Sequence, residues 1–251
     1  MSIAEIVAIA AAGLAAGAIN TLVGSGTLIT FPVLLAFGYA PVTANVSNTI
    51  GLVPGSMSGA VGYRRELAGQ RRRALRLGSM SLAGGITGAV LLLVLPASAF
   101  KAIVPVFIAI ALVLTVLQPR LVRLLARREI DLERRGSVGV ALAIYLTGVY
   151  GGYFGAAQGI LLLAILGVAL TQDLHRTNAL KNVLAGLTNG VAGVYFVFAA
   201  HVDWAPAAVI ACTSIVGAQL GARYGRRLPP DALRAIIVCV GVFAIVRLLV
   251  D

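Results

Sequence analysis

Residues 20–27, Asn20-Thr21-Leu22-Val23-Gly24-Ser25-Gly26-Thr27, interrupt a long apolar run with small and polar side chains; residues 151–159, Gly151-Gly152-Tyr153-Phe154-Gly155-Ala156-Ala157-Gln158-Gly159, interrupt a second run in the same way. Backbone in such a stretch leaves the helix. Flanked by apolar sequence, it must find its hydrogen-bond partners inside protein or along a cavity, because lipid offers none. Each stretch therefore predicts the tip of a broken-helix hairpin. A helix that restarts just beyond a tip points free N–H groups and the positive end of its dipole into that cavity, an arrangement suited to an anion. The competing reading is that these glycines serve only close helix packing, as the Gly84-x3-Gly88 spacing would.

The surrounding composition is that of a membrane protein. Of 251 residues, 59% are hydrophobic and 12% charged, whereas a soluble domain is about half apolar and about a quarter charged. Apolar segments fall near 3–23, 27–38, 43–63, 77–95, 99–117, 137–155, 157–171, 177–200, 205–222 and 231–250, several of them long enough to cross a bilayer. The first carries Glu5 and lacks a basic leader, so it reads as part of the mature chain. A net charge of +11 would suggest nucleic acid in a soluble protein. Here the arginines cluster in short loops between spans, where cytoplasmic loops carry them, and nucleic-acid binding is rejected. Cys212 and Cys239 lie within apolar spans and read as small buried hydrophobes.

The two halves repeat one another. Gly17 and Gly24 match Gly148 and Gly155 at an offset of 131, while Asn45, Gly84, Gly88, Leu95, Pro96 and Lys101 match Asn178, Gly217, Gly221, Leu228, Pro229 and Arg234 at 133. A two-residue insertion reconciles them, which marks an internal duplication. Charge swaps sides between the copies. Loop 64–76 holds Arg64, Arg65, Arg71, Arg72, Arg73 and Arg76 and its counterpart near 197–209 has no Lys or Arg; the turn at 96–101 has only Lys101 and its counterpart has Arg223, Arg226, Arg227 and Arg234. Positive loops stay inside, so the repeats are inverted and each crosses an odd number of times. The hairpins at 3–38 and 137–171 must then contribute even crossings, spanning twice or dipping in and returning.

The expected fold is an all-α membrane protein, a polytopic helical bundle of two inverted repeats, each a broken-helix hairpin plus three transmembrane helices. Residues 1–117 form the first transmembrane repeat, 118–136 a basic cytoplasmic linker and 137–251 the second. Candidate substrate-binding residues at the tips are Asn20, Gly24, Ser25, Gly26, Thr27, Gly155 and Gln158. The following segments add Asn45, Asn48 and Thr49 from one half and Asn178, Lys181 and Asn182 from the other. Asn178 and Asn182 share a helical face, and Lys181 is the most interior base, an intramembrane charge that marks function unless it snorkels to a headgroup. His175 and His201, beside Asp173 and Asp203, fall at loop positions. No HExxH, P-loop or GxSxG occurs, and the tips offer no acid or imidazole, so no catalytic residue, metal or cofactor is expected.

With Gly17 to Pro32, Ala44-Asn45, Pro54-Gly55-Ser56-Met57-Ser58-Gly59, Tyr63-Arg64, Gly84 to Pro96, Arg176-Thr177-Asn178-Ala179-Leu180-Lys181-Asn182 and Gly217-Ala218-Gln219-Leu220-Gly221, the chain resembles the sulfite exporter TauE/SafE family of anion permeases over nearly its whole length. It departs at Thr27, where a further glycine is common in the family, and at Gly155-Ala156-Ala157-Gln158-Gly159. The resemblance implies transport of a small sulfur-containing anion, such as sulfite, thiosulfate, a sulfonate or a sulfoacetate-like compound. The expectation is a multi-pass secondary permease of the cell inner (cytoplasmic) membrane, working by alternating access on a small anionic substrate, in contact with the lipid bilayer and with room for a homo-oligomer. An intramembrane enzyme or a non-transporting membrane partner protein are the alternatives.

Overall fold

The computed structural model describes residues 1–126, 137–170 and 172–224, with 237–240, 242, 243, 245 and 246 from the last segment. Half of the basic linker, Arg226, Arg227 and Arg234 of the second basic turn, and Leu228-Pro229 lie outside the described residues. The described residues are all-helical: α1 Ile3–Leu22, α2 Thr27–Ala36, α3 Pro41–Gly62, α4 Arg71–Val94, α5 Ala97–Ala126, α6 Ser137–Tyr153, α7 Gln158–Ala169, α8 Leu174–Ala199 and α9 Trp204–Tyr224.

Five stretches, Ile3–Leu22, Arg71–Val94, Ala97–Arg120, Leu174–Ala199 and Trp204–Tyr224, are long and apolar enough to cross a membrane. The protein is a multi-pass membrane protein. Helix α3 is as long, with 22 residues, but carries Asn45, Ser47, Asn48 and Thr49, all turned into the protein. At 10 and 12 residues, α2 and α7 reach only about 15–18 Å, roughly half of an apolar core about 30 Å thick. Each hairpin thus has one long arm and one short returning arm. Glu5 acts locally, completing a capping box with Ser2 at the start of α1 and accepting a hydrogen bond from Tyr39. Burial and that bond raise the Tyr39 phenol above its ordinary range. Asp173 caps α8 through the His175 N–H at 3.0 Å.

Small residues set the packing. A methyl group at Gly84 would lie 2.9 Å from Gly148 Cα, and one at Gly88 would lie 2.7 Å from Tyr153 N, so α4 and α6 touch backbone to backbone. Likewise a Cβ at Gly17 would lie 2.8 Å from Ser214 Cα and one at Gly221 would lie 2.8 Å from Ala18 O, which joins α1 to α9. Without a hydrophobic drive between helices in lipid, such close approach supplies the attraction.

The order of these contacts gives helix directions. Gly84 then Gly88 meet Gly148 then Tyr153, and Gly78 then Gly85 meet Leu187 then Val191, so α4, α6 and α8 run together. Gly51, Gly55 and Gly62 meet Ile210, Ser214 and Ala222, and Gly13 and Gly221 meet Ile210 and Ala18, so α1, α3 and α9 also run together. The two sets oppose each other, because Gly186 faces Ser56 while Gly193 faces Ile50. An aromatic cluster seals one side of the second tip: Phe31 of α2 stands edge-on to Phe154 at 5.2 Å, and Phe107 of α5 stands edge-on to Tyr150 at 5.2 Å.

The cysteine expectation is corrected. Cys212 and Cys239 are free and exposed, on outer helix faces that a membrane would cover. Their apolar character suits lipid rather than a protein core.

Two outcomes follow. In a variant with Cys212 and Cys239 replaced by alanine, a cysteine at Arg71 should resist a membrane-impermeant thiol reagent added outside, while one at His201, beyond the far end of α8, should react; equal labelling from outside would overturn the orientation. Gly84→Val should lower stability in detergent by about 1–3 kcal/mol through overpacking, read as a drop in apparent Tm, while Gly139→Ala, whose added Cβ meets nothing within 4 Å, should leave it unchanged or slightly raised.

Candidate functional site

The two tips are built alike. At the first, the N–H groups of Val23 and Gly24 both donate to Ile19 O, at 2.7 and 2.9 Å; at the second, those of Phe154 and Gly155 both donate to Tyr150 O, at 2.9 and 3.1 Å. Gly24 and Gly155 take φ of +86° and +78°, the left-handed conformation that ends a helix and that glycine adopts at little cost. Ala157 shares that region at φ +58°.

The tips meet. Gly159 N–H donates to Gly24 O at 3.1 Å, and a Cβ on Gly24 would overlap Gly159 Cα and lie 3.0 Å from Gly159 N and C. This contact changes one expectation. The first-turn N–H groups of the short arms do not all point into a cavity: Leu28 and Ile29 donate to Ser25 O and Gly26 O, Gln158 and Ile160 to Gly155 O and Ala157 O, and Gly159 to the other tip. Side chains are left to supply donors.

The segments after the hairpins hold the ends of the long arms, each across the repeat boundary. From α8, Asn178 Nδ2 and Asn182 Nδ2 donate to Thr21 O at 3.1 and 3.2 Å, and Lys181 Nζ donates to Asn20 O at 2.9 Å and to Thr21 O at 3.2 Å. Lys181 is fully buried, at the negative dipole end of α1, where a cation is favourable. It does not snorkel. From α3, Asn45 Nδ2 donates to Tyr153 O at 2.9 Å, doing for α6 what its counterpart Asn178 does for α1. Asn48 bonds Thr30 and, at 3.5 Å, Thr27; Thr49 is buried beside it. At the first tip, Asn20 Oδ1 accepts from Gly26 N–H at 2.9 Å.

Between the tips lies a cavity of about 20 Å³, lined by Asn20, Thr21, Gly24, Thr27, Ser56, Gly155, Gln158, Gly159, Asn182, Ala185 and Asn189. That is room for about one water. Of the residues predicted from sequence, Asn20, Gly24, Thr27, Gly155, Gln158 and Asn182 line it. Ser25, Gly26, Asn45, Asn48, Thr49, Asn178 and Lys181 do not line it, although Gly26, Asn48, Asn178 and Lys181 hydrogen-bond residues that do. Gln158 Nε2 has no partner although the residue is only 2% exposed. Such a donor, beside the cavity, lacks an acceptor that the protein itself does not provide. No acid, base or imidazole lines the cavity, and among the described residues no group of His, Cys, Asp or Glu could hold a metal.

Ser56 and Asn189 were missed. Asn189 Nδ2 donates to Ser56 Oγ at 3.4 Å across the antiparallel crossing of α3 and α8. They are separated by 133 residues, the offset that pairs Asn45 with Asn178, so carrying the repeat alignment further along these helices would have found them.

The signature of the sulfite exporter TauE/SafE family matches residues 9–248. The chain belongs to this family. It is 30% identical over 240 residues to a probable membrane transporter protein, ORF9, of a Sinorhizobium species, covering 94% of this chain and 89% of that one. It is 27% identical over 239 residues to the probable membrane transporter protein YfcA of Escherichia coli K12, covering 94% and 86%. A probable membrane transporter protein of Haemophilus influenzae is 24% identical over 242 residues, covering 95% and 92%. No solved structure matches.

The contact between the tips makes a specific demand. Gly24→Ala should be destabilised by the strain of a left-handed alanine, about 1–2 kcal/mol, and in addition by the overlap with Gly159. Gly38→Ala, at φ +86° with open space around it, should be destabilised by the strain alone. Apparent Tm values should therefore fall further for Gly24→Ala than for Gly38→Ala; equal shifts would show that the tips do not depend on their contact.

Proposed function

We propose that this protein is a secondary permease that exports a small, sulfur-containing oxyanion across the inner membrane by alternating access of two inverted repeats. The observation that carries the reading is the cavity between the two broken tips, lined by amides and hydroxyls, backed by the buried Lys181 and free of carboxylates. Donors without acids suit an anion. The unpartnered Gln158 Nε2, with Thr27, Ser56, Asn182 and Asn189, offers hydrogen bonds to tetrahedral or pyramidal oxygens.

Helix directions support the inverted repeat. At the offsets found in the sequence, α1, α3 and α4 correspond to α6, α8 and α9, and each member of the first set runs opposite to its counterpart. The packing exchanges in the same way, since α1 lies on α9 and α6 on α4. The size of the cavity supports alternating access. A space of about 20 Å³ is too small for such an anion, so on this reading the lining must open to load it, and we place that opening at the Ser56–Asn189 contact between α3 and α8.

No acid lines the cavity, so the reading assigns the driving force to the membrane potential. An interior-negative potential acts on each charge by about 2.3 kcal/mol per 100 mV. For a dianion that is about 4.6 kcal/mol, a ratio above roughly a thousand, directed outward. The test is flux of sulfite and of a sulfonate in sealed proteoliposomes under an imposed potassium-diffusion potential, with and without a pH gradient. Flux should follow the potential. Lys181→Ala should lower it roughly ten- to a hundredfold, as expected for losing a charge worth about 1.5–3 kcal/mol, while the protein still inserts, and Lys181→Arg should restore part. Flux that tracks the pH gradient and ignores the potential would sink the mechanism, and full activity in Lys181→Ala would remove Lys181 from it.

A further inference from the structure

A second concavity lies at the end of the fold where α4 and α8 begin. Arg72, Arg73 and Arg76 of α4 and Arg176 of α8, with Gly69, surround a cleft of about 460 Å³. It shares no lining residue with the cavity between the tips. Two of its arginines are held in place: Arg73 Nη1 donates to Gln172 Oε1 at 3.1 Å, and Arg176 Nη2 donates to Ala68 O at 2.9 Å. Arg72 and Arg76 are exposed. The start of α4 has no side-chain cap, so the positive end of its dipole adds to the same field.

Position identifies the ligand. Both helices are long and apolar enough to cross a membrane, and the cleft sits at their common end, where span gives way to water. Apolar surface adjoins the charge: Leu75, between Arg73 and Arg76, is 66% exposed, and Leu174, two residues before Arg176, is 51% exposed. A free anion would have no use for exposed leucines beside it, whereas a lipid would lay its acyl chains there. Arginine forks match phosphate oxygens two at a time, and a cleft of this volume accepts a phosphate with its glycerol.

We propose that this cleft binds the phosphodiester headgroup of an anionic phospholipid from the cytoplasmic leaflet. One phosphate bridges α4 and α8, which belong to different halves of the chain, and so ties the halves together at this end. The proposal rests on the membrane assignment and not on what the protein transports.

The test measures binding of phosphatidylglycerol and phosphatidylcholine to the full-length protein in neutral detergent, by native mass spectrometry. Wild type should retain phosphatidylglycerol in preference. The double variant Arg72→Gln/Arg76→Gln, which alters exposed side chains only, should weaken that binding roughly 30-fold, at about fivefold per arginine. Arg64→Gln/Arg65→Gln removes the same charge from exposed positions outside the cleft and should change binding by less than about threefold. Equal losses in the two variants, or no preference for the anionic lipid, would overturn the proposal. Displacement of the lipid by millimolar inorganic phosphate would reassign the cleft to a free anion and overturn it as well.

Discussion

Everything in this fold depends on satisfying backbone that has been broken inside apolar surroundings. Two long helices stop short at Leu22 and Tyr153, and their terminal carbonyls would be stranded without partners, at a cost of several kcal/mol each in lipid. The solution is reciprocal. Helix α8 sends Asn178, Lys181 and Asn182 to the end of α1, while α3 sends Asn45 to the end of α6. The tips then lean on each other through Gly159 N–H and Gly24 O. Neither half can satisfy its own break, so neither half is a self-sufficient bundle. The glycines at the α1–α9 and α4–α6 crossings follow from this, because only close approach brings α3 and α8 within reach of the opposite tips.

Much of this was legible in the sequence, for identifiable reasons. Breaks announce themselves because small residues cluster at Gly24-Ser25-Gly26 and at Gly155-Ala156-Ala157, where the backbone leaves the helix. The recurring glycine spacing was legible because glycines at backbone contacts, such as Gly84 and Gly88 on α6 and Gly217 and Gly221 on α1, tolerate no side chain. The arginine clusters sit in the loops and at the helix starts between the spans, where the sequence placed them, because charge costs too much to carry across. The roles of individual polar residues were less so. Lys181 was readable as an interior charge, but not as a cap on Asn20 and Thr21, because the partner is a carbonyl 160 residues away and sequence names no carbonyl. Ser56 and Asn189 looked like ordinary helix residues; their meaning arises at one crossing between α3 and α8. The cysteines misled because burial in protein and exposure to lipid select the same apolar surroundings in sequence.

The two tips are secured by different physics. Around the second, Phe31, Phe100, Phe107 and Phe154 pack ring against ring, each pair adding about 0.5–1.5 kcal/mol beyond its burial. Such contacts are spread over several rings rather than fixed on one acceptor. Around the first, three side chains of α8 converge on Thr21 O, a discrete set that is either made or lost. The second tip also receives one such bond, from Asn45 Nδ2 to Tyr153 O, so the first tip is held by more discrete bonds and the second by more ring packing.

Charge follows the same asymmetry. At the repeat offset of 133, Asn48 stands where the other half has Lys181. Asn48 uses its amide within its own half, on Thr27 and Thr30, and Lys181 reaches across to the end of α1. The helix end presents about half a negative charge, and Lys181 when protonated more than offsets it, which makes the first tip the more positive of the two. The end of α6 receives only the neutral amide of Asn45 and keeps its partial negative character. On the proposed reading, an anion is drawn to one side of the cavity and is released by moving away from a single charge. A second lysine at position 48 would hold it from both sides. Conduction needs binding strong enough to admit the ion and weak enough to let it go, and one interior cation between two polar tips meets both conditions where two would meet only the first.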